Sequence, residues 1–355
     1  MPSAATPSSF KIVDLFAGPG GLDSAARELG VPAVGVEWDV NACATRYAEH
    51  LETSSRDVRD LGPEDFEDAN VLAGGPPCQT FTVAGNGTGR RALDQVLTFA
   101  RRLAGGENRE SVRADLKGLS DERTGLVLEP LRWILQAIED GRPYEAVILE
   151  QVPAVLPVWE AFAAIMRERG YQVPPPKVLH TEEFGVPQTR RRAILIARWG
   201  DSDLWRRSGE PTLPEPTHRR FRKGLDNHAV DATLPWITMG EALQRHRHGE
   251  FVVVSNYGTG GDPKARGRRH SYEPSATVTG KISRNRVLDT RGVELPRLSL
   301  NEAGLLQTFR DGYKWSGGDI AQQIGNAVPP RLGMHVIAAA LQLPEQLSFA
   351  LDRQP

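Results

Sequence analysis

The sequence predicts an α/β fold: a doubly wound, mostly parallel sheet joined to a second, smaller, irregular basic domain. Three observations predict it. Residues 11–30, KIVDLFAGPGGLDSAARELG, read as a buried strand, a glycine turn and an amphipathic helix. The same strand–helix alternation repeats as far as the apolar run at Val71, giving β-α-β-α-β and hence parallel pairing. From Gly200 to about Leu295 the periodicity fades while Pro, Gly, Arg, His and Ser rise. The chain then returns to regular helices, so the large domain is expected to be discontinuous, 1–199 with 297–355, around an inserted 200–296.

Taken in order, Ile12, Val13, Leu15 and Phe16 form the first strand, and Gly18, Gly20 and Gly21 break it. Leu22, Ala25, Ala26 and Leu29 recur at helical spacing until Gly30. A second strand, 33–38, ends in Glu37-Trp38-Asp39, and 41–51 is a helix in which Cys43 is structural. Val71 to Ala73 lead into GGPPCQTF, where two glycines turn the backbone and Pro76 and Pro77 stiffen it. Residues 85–124 are polar and irregular, the composition of a functional or mobile segment, with 91–103 able to form a helix. A helix at 126–138, a strand at 146–149 ending at Glu150-Gln151-Val152 and a helix at 159–169 follow. QTRRRAILIA is a cationic cluster running into a strand. Short β-like pieces are expected at 251–254 and 277–279. Beyond them lie a helix at 298–309, capped by Ser299 or Asn301 with Glu302 in its first turn, and an apolar helix at 332–341.

The totals bound the function class. A chain of 355 residues holds one large domain or two of ordinary size. Two cysteines make neither a disulfide framework nor a zinc site, and no apolar run approaches a membrane span. With no basic and apolar leader in MPSAATPSSF, a soluble intracellular protein is expected. The net charge of −2 hides an asymmetry. Residues 184–300 carry 21 Lys and Arg against 12 Asp and Glu, leaving 22 basic and 33 acidic residues elsewhere. Such segregation points to a polyanion partner, or else to a solvated basic surface.

Three places carry candidate chemistry. Cys78 is held on a rigid loop past a strand end, where open α/β sheets place their reactive groups; the alternative is a small apolar cysteine in a turn. The glycine-rich turn brings a ligand close to backbone N–H groups at a helix start, with Glu37 where a ribose is gripped and Trp38 beside it. Glu150 falls on the same rim as Cys78, as a functional carboxylate or as half of an ion pair.

FAGPGG at Phe16, EWD at Glu37, GGPPCQ at Gly74, the Glu150 block, QTRRR at Gln188 and GNAVP at Gly325 come in this order. Six such blocks together resemble the cytosine-5 DNA methyltransferase family, with its Rossmann-like methyltransferase sheet, over most of the chain outside 200–295. The resemblance implies S-adenosylmethionine as methyl donor, S-adenosylhomocysteine as product, no metal, and a cytosine flipped out of double-stranded DNA. Cys78 would add to carbon 6 as thiolate, and Glu150 would hold the ring nitrogen and exocyclic amine. Arg190 would contact the base carbonyl, while Arg192 would brace the site or a phosphate. The donor pocket implied comprises Phe16, Ala17, Gly18, Gly20, Gly21, Leu22, Glu37, Trp38, Asp60, Leu61, Pro76, Asn326 and Val328. Against the substrate would lie Gln79, Thr82, Gly85, Gln151 and Gln188. Residues 85–124 resemble the loop that shuts over flipped DNA, and 200–296 the target-recognition domain. A monomeric, cytoplasmic and nucleoid-associated bacterial enzyme follows, with a cognate restriction endonuclease as a possible partner.

Two departures stand out. Gln151 occupies a place where the family usually has Asn, and 72 positions separate Cys78 from Glu150. Two rival readings remain. An RNA methyltransferase of the same family is disfavoured because the chain lacks the Cys-Phe-Thr tripeptide of that branch. A non-catalytic DNA-binding homologue is disfavoured because Cys78, Glu150, Arg190 and FAGPGG are all present.

Overall fold

The computed structural model describes residues 7–77, 88–116, 123–227, 232–255 and 267–343. Its first half alternates strands and helices: β1 (Ile12–Leu15), α1 (Gly21–Glu28), β2 (Ala33–Val36), α2 (Val40–Ala48), β3 (Glu52–Ser54) and β4 (Val71–Gly74). Four helices follow, α3 (Thr88–Ala104), α4 (Arg109–Leu116), α5 (Arg123–Leu126) and α6 (Glu129–Glu139). Then come β5 (Ala146–Gln151), α7 (Leu156–Glu168), β6 (Tyr171–Gln172), β7 (Lys177–His180), β8 (Gln188–Thr189) and β9 (Arg191–Trp199).

The main sheet has the order β3-β2-β1-β4-β5-β9-β6, with β7 also pairing with β9. Neighbours from β3 to β5 run parallel; β9 runs antiparallel to β5, β6 and β7. β1 and β4 are buried on both faces, so β4 reads as a continuous apolar run and β1 does so apart from the buried Asp14. Two apolar cores flank the sheet. One gathers α3, α6 and α7 around Trp133, Trp159 and Phe162. The other packs α1 against α12 (introduced below) through Leu22, Ala25, Val336 and Ile337. β5 extends to Gln151, two residues beyond the predicted strand, so Glu150 and Gln151 lie within the sheet rather than past its edge.

The polar stretch after Cys78 differs most from expectation. α3 is a 17-residue helix whose Val96, Phe99, Ala100 and Leu103 are buried in the first core, with Val112 of α4. Residues 93–104 therefore pack as body, not as a loose arm, and Val112 and Leu116 fasten α4 to the same core. The expected lid at 85–124 retains only 85–87 and 117–122 outside the described residues.

After α8 (Asp203–Ser208) and α9 (Met239–Ala242) come β10 (Phe251–Val254), β11 (Arg268–His270), β12 (Ser275–Ala276), β13 (Arg286–Asp289) and β14 (Glu294–Leu295). β11, β10, β13 and β14 form a separate antiparallel sheet, and β12 pairs with β8 instead. The piece expected at 277–279 is thus a two-residue strand slightly earlier. α10 (Leu300–Leu306) and α11 (Ile320–Asn326) place Ala303, Leu306 and Ile324 in the core of this smaller sheet, with Phe251 and Val287. Packing thus carries the smaller unit past residue 296. Ser299 caps α10 reciprocally with Glu302, as its sequence predicts. α12 (Pro330–Leu341) alone returns beneath the main sheet.

Candidate active site

The strand ends β1, β2, β4 and β5 open onto a cavity of about 420 Å³. The turn after β1 is built for close approach. Phe16 is held at φ 61°, a conformation costly for a non-glycine residue, and Gly18 at φ 55°. A side chain at Gly21 would collide with the Val328 carbonyl, its Cβ lying 2.2 Å from the oxygen, so glycine there lets the returning segment close the wall. Glu37 accepts hydrogen bonds from the N–H of Gly18 at 2.8 Å and of Asp39 at 2.7 Å. Burial pushes its pKa up and those two bonds oppose the shift. Trp38 is 61 % exposed, with the Arg59 guanidinium 5.6 Å from its ring centroid.

Beneath the turn, Arg46 holds Asp23 through two bonds of 2.8 and 2.7 Å. Asp14 on β1 sits beside this pair and lines the cavity. Burial, reinforced by the Asp23 charge, raises its pKa well above the usual carboxyl range. Its Oδ1 is buried without a hydrogen-bond partner.

At the other end of the cavity, Glu150 is 6 % exposed and its Oε1 meets Arg192 Nε at 2.5 Å. Arg190 also borders the cavity, but its guanidinium is engaged by backbone. Its guanidinium donates to the carbonyls of Val278 at 3.0 Å, Gly325 at 2.9 Å and Ala327 at 3.2 Å. It ties residue 278 of the inserted region and the returning segment to the start of β9, which carries Arg192. Gln188 is part of the same knot, donating to Leu306 O at 3.0 Å and Gln307 Oε1 at 2.5 Å and accepting from Val278 N–H at 2.9 Å. The assignment of Gln188 to the substrate is corrected: it is fully buried and does not line the cavity. Gln151 donates to the carbonyl of Pro76 and accepts from Val152 N–H at 2.5 Å. The longer amide thus reaches the loop that leads to Cys78.

Of the residues predicted for the donor, Phe16, Ala17, Gly18, Gly21, Leu22, Glu37, Trp38, Asn326 and Val328 line the cavity. Four do not. Gly20, at φ 98°, lies against Leu51, Pro76 turns inward to accept from Gln151, and Leu61 is in the core. Asp60 is exposed, and the wall there is made by Asp57, Val58 and Arg59. The sequence signal for that wall was present: Asp57 caps the turn after the third strand, accepting from Arg59 N–H at 2.9 Å. Cys78, Gln79, Thr82 and Gly85 lie outside the described residues, and Pro77, which precedes Cys78, lines the cavity beside Glu150.

A family model for C-5 cytosine-specific DNA methylases matches residues 10–101 and 110–342. The chain belongs to that family. It is a DNA cytosine-5 methyltransferase. Among curated relatives, the type II methyltransferase M1.HphI of Haemophilus parahaemolyticus is 27 % identical across 94 % of this chain and 87 % of its own. The type II methyltransferase M.AplI of Arthrospira platensis is 27 % identical, covering 98 % of this chain and 88 % of its own. The crystal structure of the S. pombe Dnmt2 methyltransferase shares the fold, with a TM-score of 0.57 and 16 % identity over 94 % of this chain and 98 % of its own. None of the described helices is long and apolar enough to cross a membrane.

Proposed function

We propose that the cavity binds S-adenosylmethionine at its β1–β2 end and a flipped cytosine at its Glu150 end, with Cys78 as nucleophile. The reading rests on one observation above the others: a single cavity joins the Gly18–Glu37–Trp38 wall to the Glu150–Arg192 pair. The residues fit the donor, since Glu37 can accept from a sugar hydroxyl pair, Trp38 offers a ring face, and Asp14 leaves a buried acceptor open. S-adenosylmethionine supplies an electrophilic methyl group when bound.

Cytosine carbon 5 is a weak nucleophile, and the chain's own groups correct this. The Cys78 thiolate adds to carbon 6, and electron density moves to the ring nitrogen and carbon 5. Glu150 faces that nitrogen and the exocyclic amine. Arg192, rather than Arg190, takes the base carbonyl, because Arg190's donors are engaged by three backbone carbonyls while Arg192 stands on Glu150. Gln151 fixes the Pro76 carbonyl and so holds the approach to Cys78. We further propose that the smaller unit, 200–296 with α10 and α11, is the recognition domain, and that the enzyme works as a monomer within a restriction–modification pair.

The test is transfer of label from tritiated S-adenosylmethionine to mixed-sequence duplex DNA. Label is expected at cytosine carbon 5, lost in Cys78→Ala and retained in Gln151→Asn. Transfer by Cys78→Ala would reject the nucleophile, and label at another atom would reject the base-end assignment.

A further inference from the structure

A cluster of basic side chains lies beside β8 and β9, where β7, residues 217–221 and β11 converge. His180 on β7 is paired in register with Arg191 on β9. The backbone N–H groups of Thr217 and His218 donate to the Glu183 carbonyl at 2.9 and 3.0 Å, which lays the following Arg220 and Phe221 over this edge. Arg269 on β11 stacks 4.6 Å from the Phe221 ring centroid, with Trp236 edge-on behind that ring at 5.2 Å. Its Nη2 lies 3.4 Å from Thr189 Oγ1, so the smaller sheet touches β8, the short strand just before β9 and Arg192. Glu182 lies beneath. It is 2 % exposed, its Oε2 has no hydrogen-bond partner, and its Oε1 is 3.7 Å from His180 Nδ1.

From this arrangement we propose that Arg191, Arg220 and Arg269 clamp a backbone phosphate of the target DNA, with Glu182 set beneath them as a carboxyl that competes with the phosphate once it ionises. The inference rests on the DNA-methyltransferase reading. The cluster lies at the β8–β9 edge, next along the chain to the cavity-lining Arg190 and Arg192, within reach of the backbone of a strand whose base fills the cavity. The stacked, planar Arg269 is the kind of arginine that presents a fixed fork to phosphate. Around Glu182 the charged and titratable groups are His180, Glu183, Arg191, Arg220 and Arg269. Burial outweighs the two arginines that act on Glu182 and pushes it up to about 7, while Glu183 adds to the rise. Burial, with the Arg220 and Arg191 charges, lowers the His180 pKa below that of an ordinary histidine. Below that point the clamp is fully cationic. Above it, the carboxylate neutralises part of the clamp. A bound phosphate repels that carboxylate and raises its pKa further, so DNA binding takes up a proton and must weaken as pH rises.

Anisotropy of a short fluorescein-labelled duplex, with S-adenosylhomocysteine present and ionic strength fixed, tests this. The unsubstituted protein should bind roughly three- to tenfold more weakly at pH 8.5 than at pH 6, the range one linked proton allows. Glu182→Gln should abolish that dependence. The Arg220→Ala/Arg269→Ala protein should lose affinity equally on duplexes of different sequence, with the slope of log K on log salt smaller by about 0.9. Arg220→Lys/Arg269→Lys, which keeps the charges, should retain the slope. Thermal midpoint and S-adenosylhomocysteine affinity, unchanged in all variants, exclude misfolding. An unchanged salt slope in the alanine protein, a loss confined to some sequences, or a pH dependence that survives Glu182→Gln would overturn the site. Absence of duplex binding by the unsubstituted protein would instead overturn the DNA reading on which it stands.

Discussion

Two arginines in one short motif divide the labour here, and their partners show how. Arg190 is 2 % exposed and supplies three backbone carbonyls, from two separated stretches of chain, with their hydrogen bonds. Arg192, two residues on, sets its Nε against Glu150 and donates from Nη1 to the Arg191 carbonyl at 2.7 Å. Replacing Arg190 by Ala strips buried carbonyls of donors, so a stability loss of about 3–5 kcal/mol is expected in urea unfolding, with activity falling as the fold does. Arg192→Ala leaves the Glu150 pair broken inside a solvent-reachable cavity, so the fold survives while kcat falls by about 10²–10³, the usual cost of losing one charge-stabilising donor. Steady-state label transfer beside urea titration separates the two. The motif alone could not have done so. Strand alternation puts residues 190 and 192 on the same side, and only the third dimension shows which of them finds carbonyls at Val278 and Ala327 and which finds a carboxylate.

At the scale of elements, α3 shows where sequence reading stops. Its run of Arg, Asp and Gln with Val96, Phe99, Ala100 and Leu103 at helical spacing is amphipathic, yet its polar neighbours 105–124 gave it the look of a loose segment. The apolar stripe is what counts, because it lies against α7 and the main core. If α3 is structural, Phe99→Ala costs about 3 kcal/mol, as removal of a buried aromatic ring does, and lowers the midpoint of chemical unfolding. A helix belonging to a mobile arm would leave that midpoint where it was. Elements with local signals were legible to within a few residues, through the glycine break after β1, the Ser299–Glu302 reciprocal cap and the apolar run of β5, whereas the short β3, β6 and β7 and the helix α11 were not read. The pairing of β8 with β12 and the sharing of α10 and α11 with the smaller core were not legible, since both depend on contacts between segments far apart in sequence.

Over the whole molecule, the chain's departure and return make one seam, and its chemistry sets the acid limit of the fold. α12 comes back under the sheet carrying His335, which packs 5.3 Å from Phe184 and has a buried Nε2 without a partner. His218, from the start of the inserted region, is also buried, its Nδ1 2.9 Å from Thr217 Oγ1. Burial, with the Arg331 charge close by, lowers each of them to about 4. Both are therefore neutral in the folded protein, against about 6.5 for a histidine in the unfolded chain. A depressed histidine pKa gives stability that is complete above about 6.5 and drains away as pH falls toward 4, because the unfolded chain binds the protons the folded one refuses. Two such groups beside one arginine predict a steep fall in unfolding free energy across that window, on the order of 2–3 kcal/mol from each. Urea unfolding from pH 7.5 down to pH 4.5 should show it. In His335→Gln the same series should be visibly flatter, since an amide fills much of the imidazole's place and takes up no proton. A slope that Gln leaves untouched would move the acid sensitivity away from this seam.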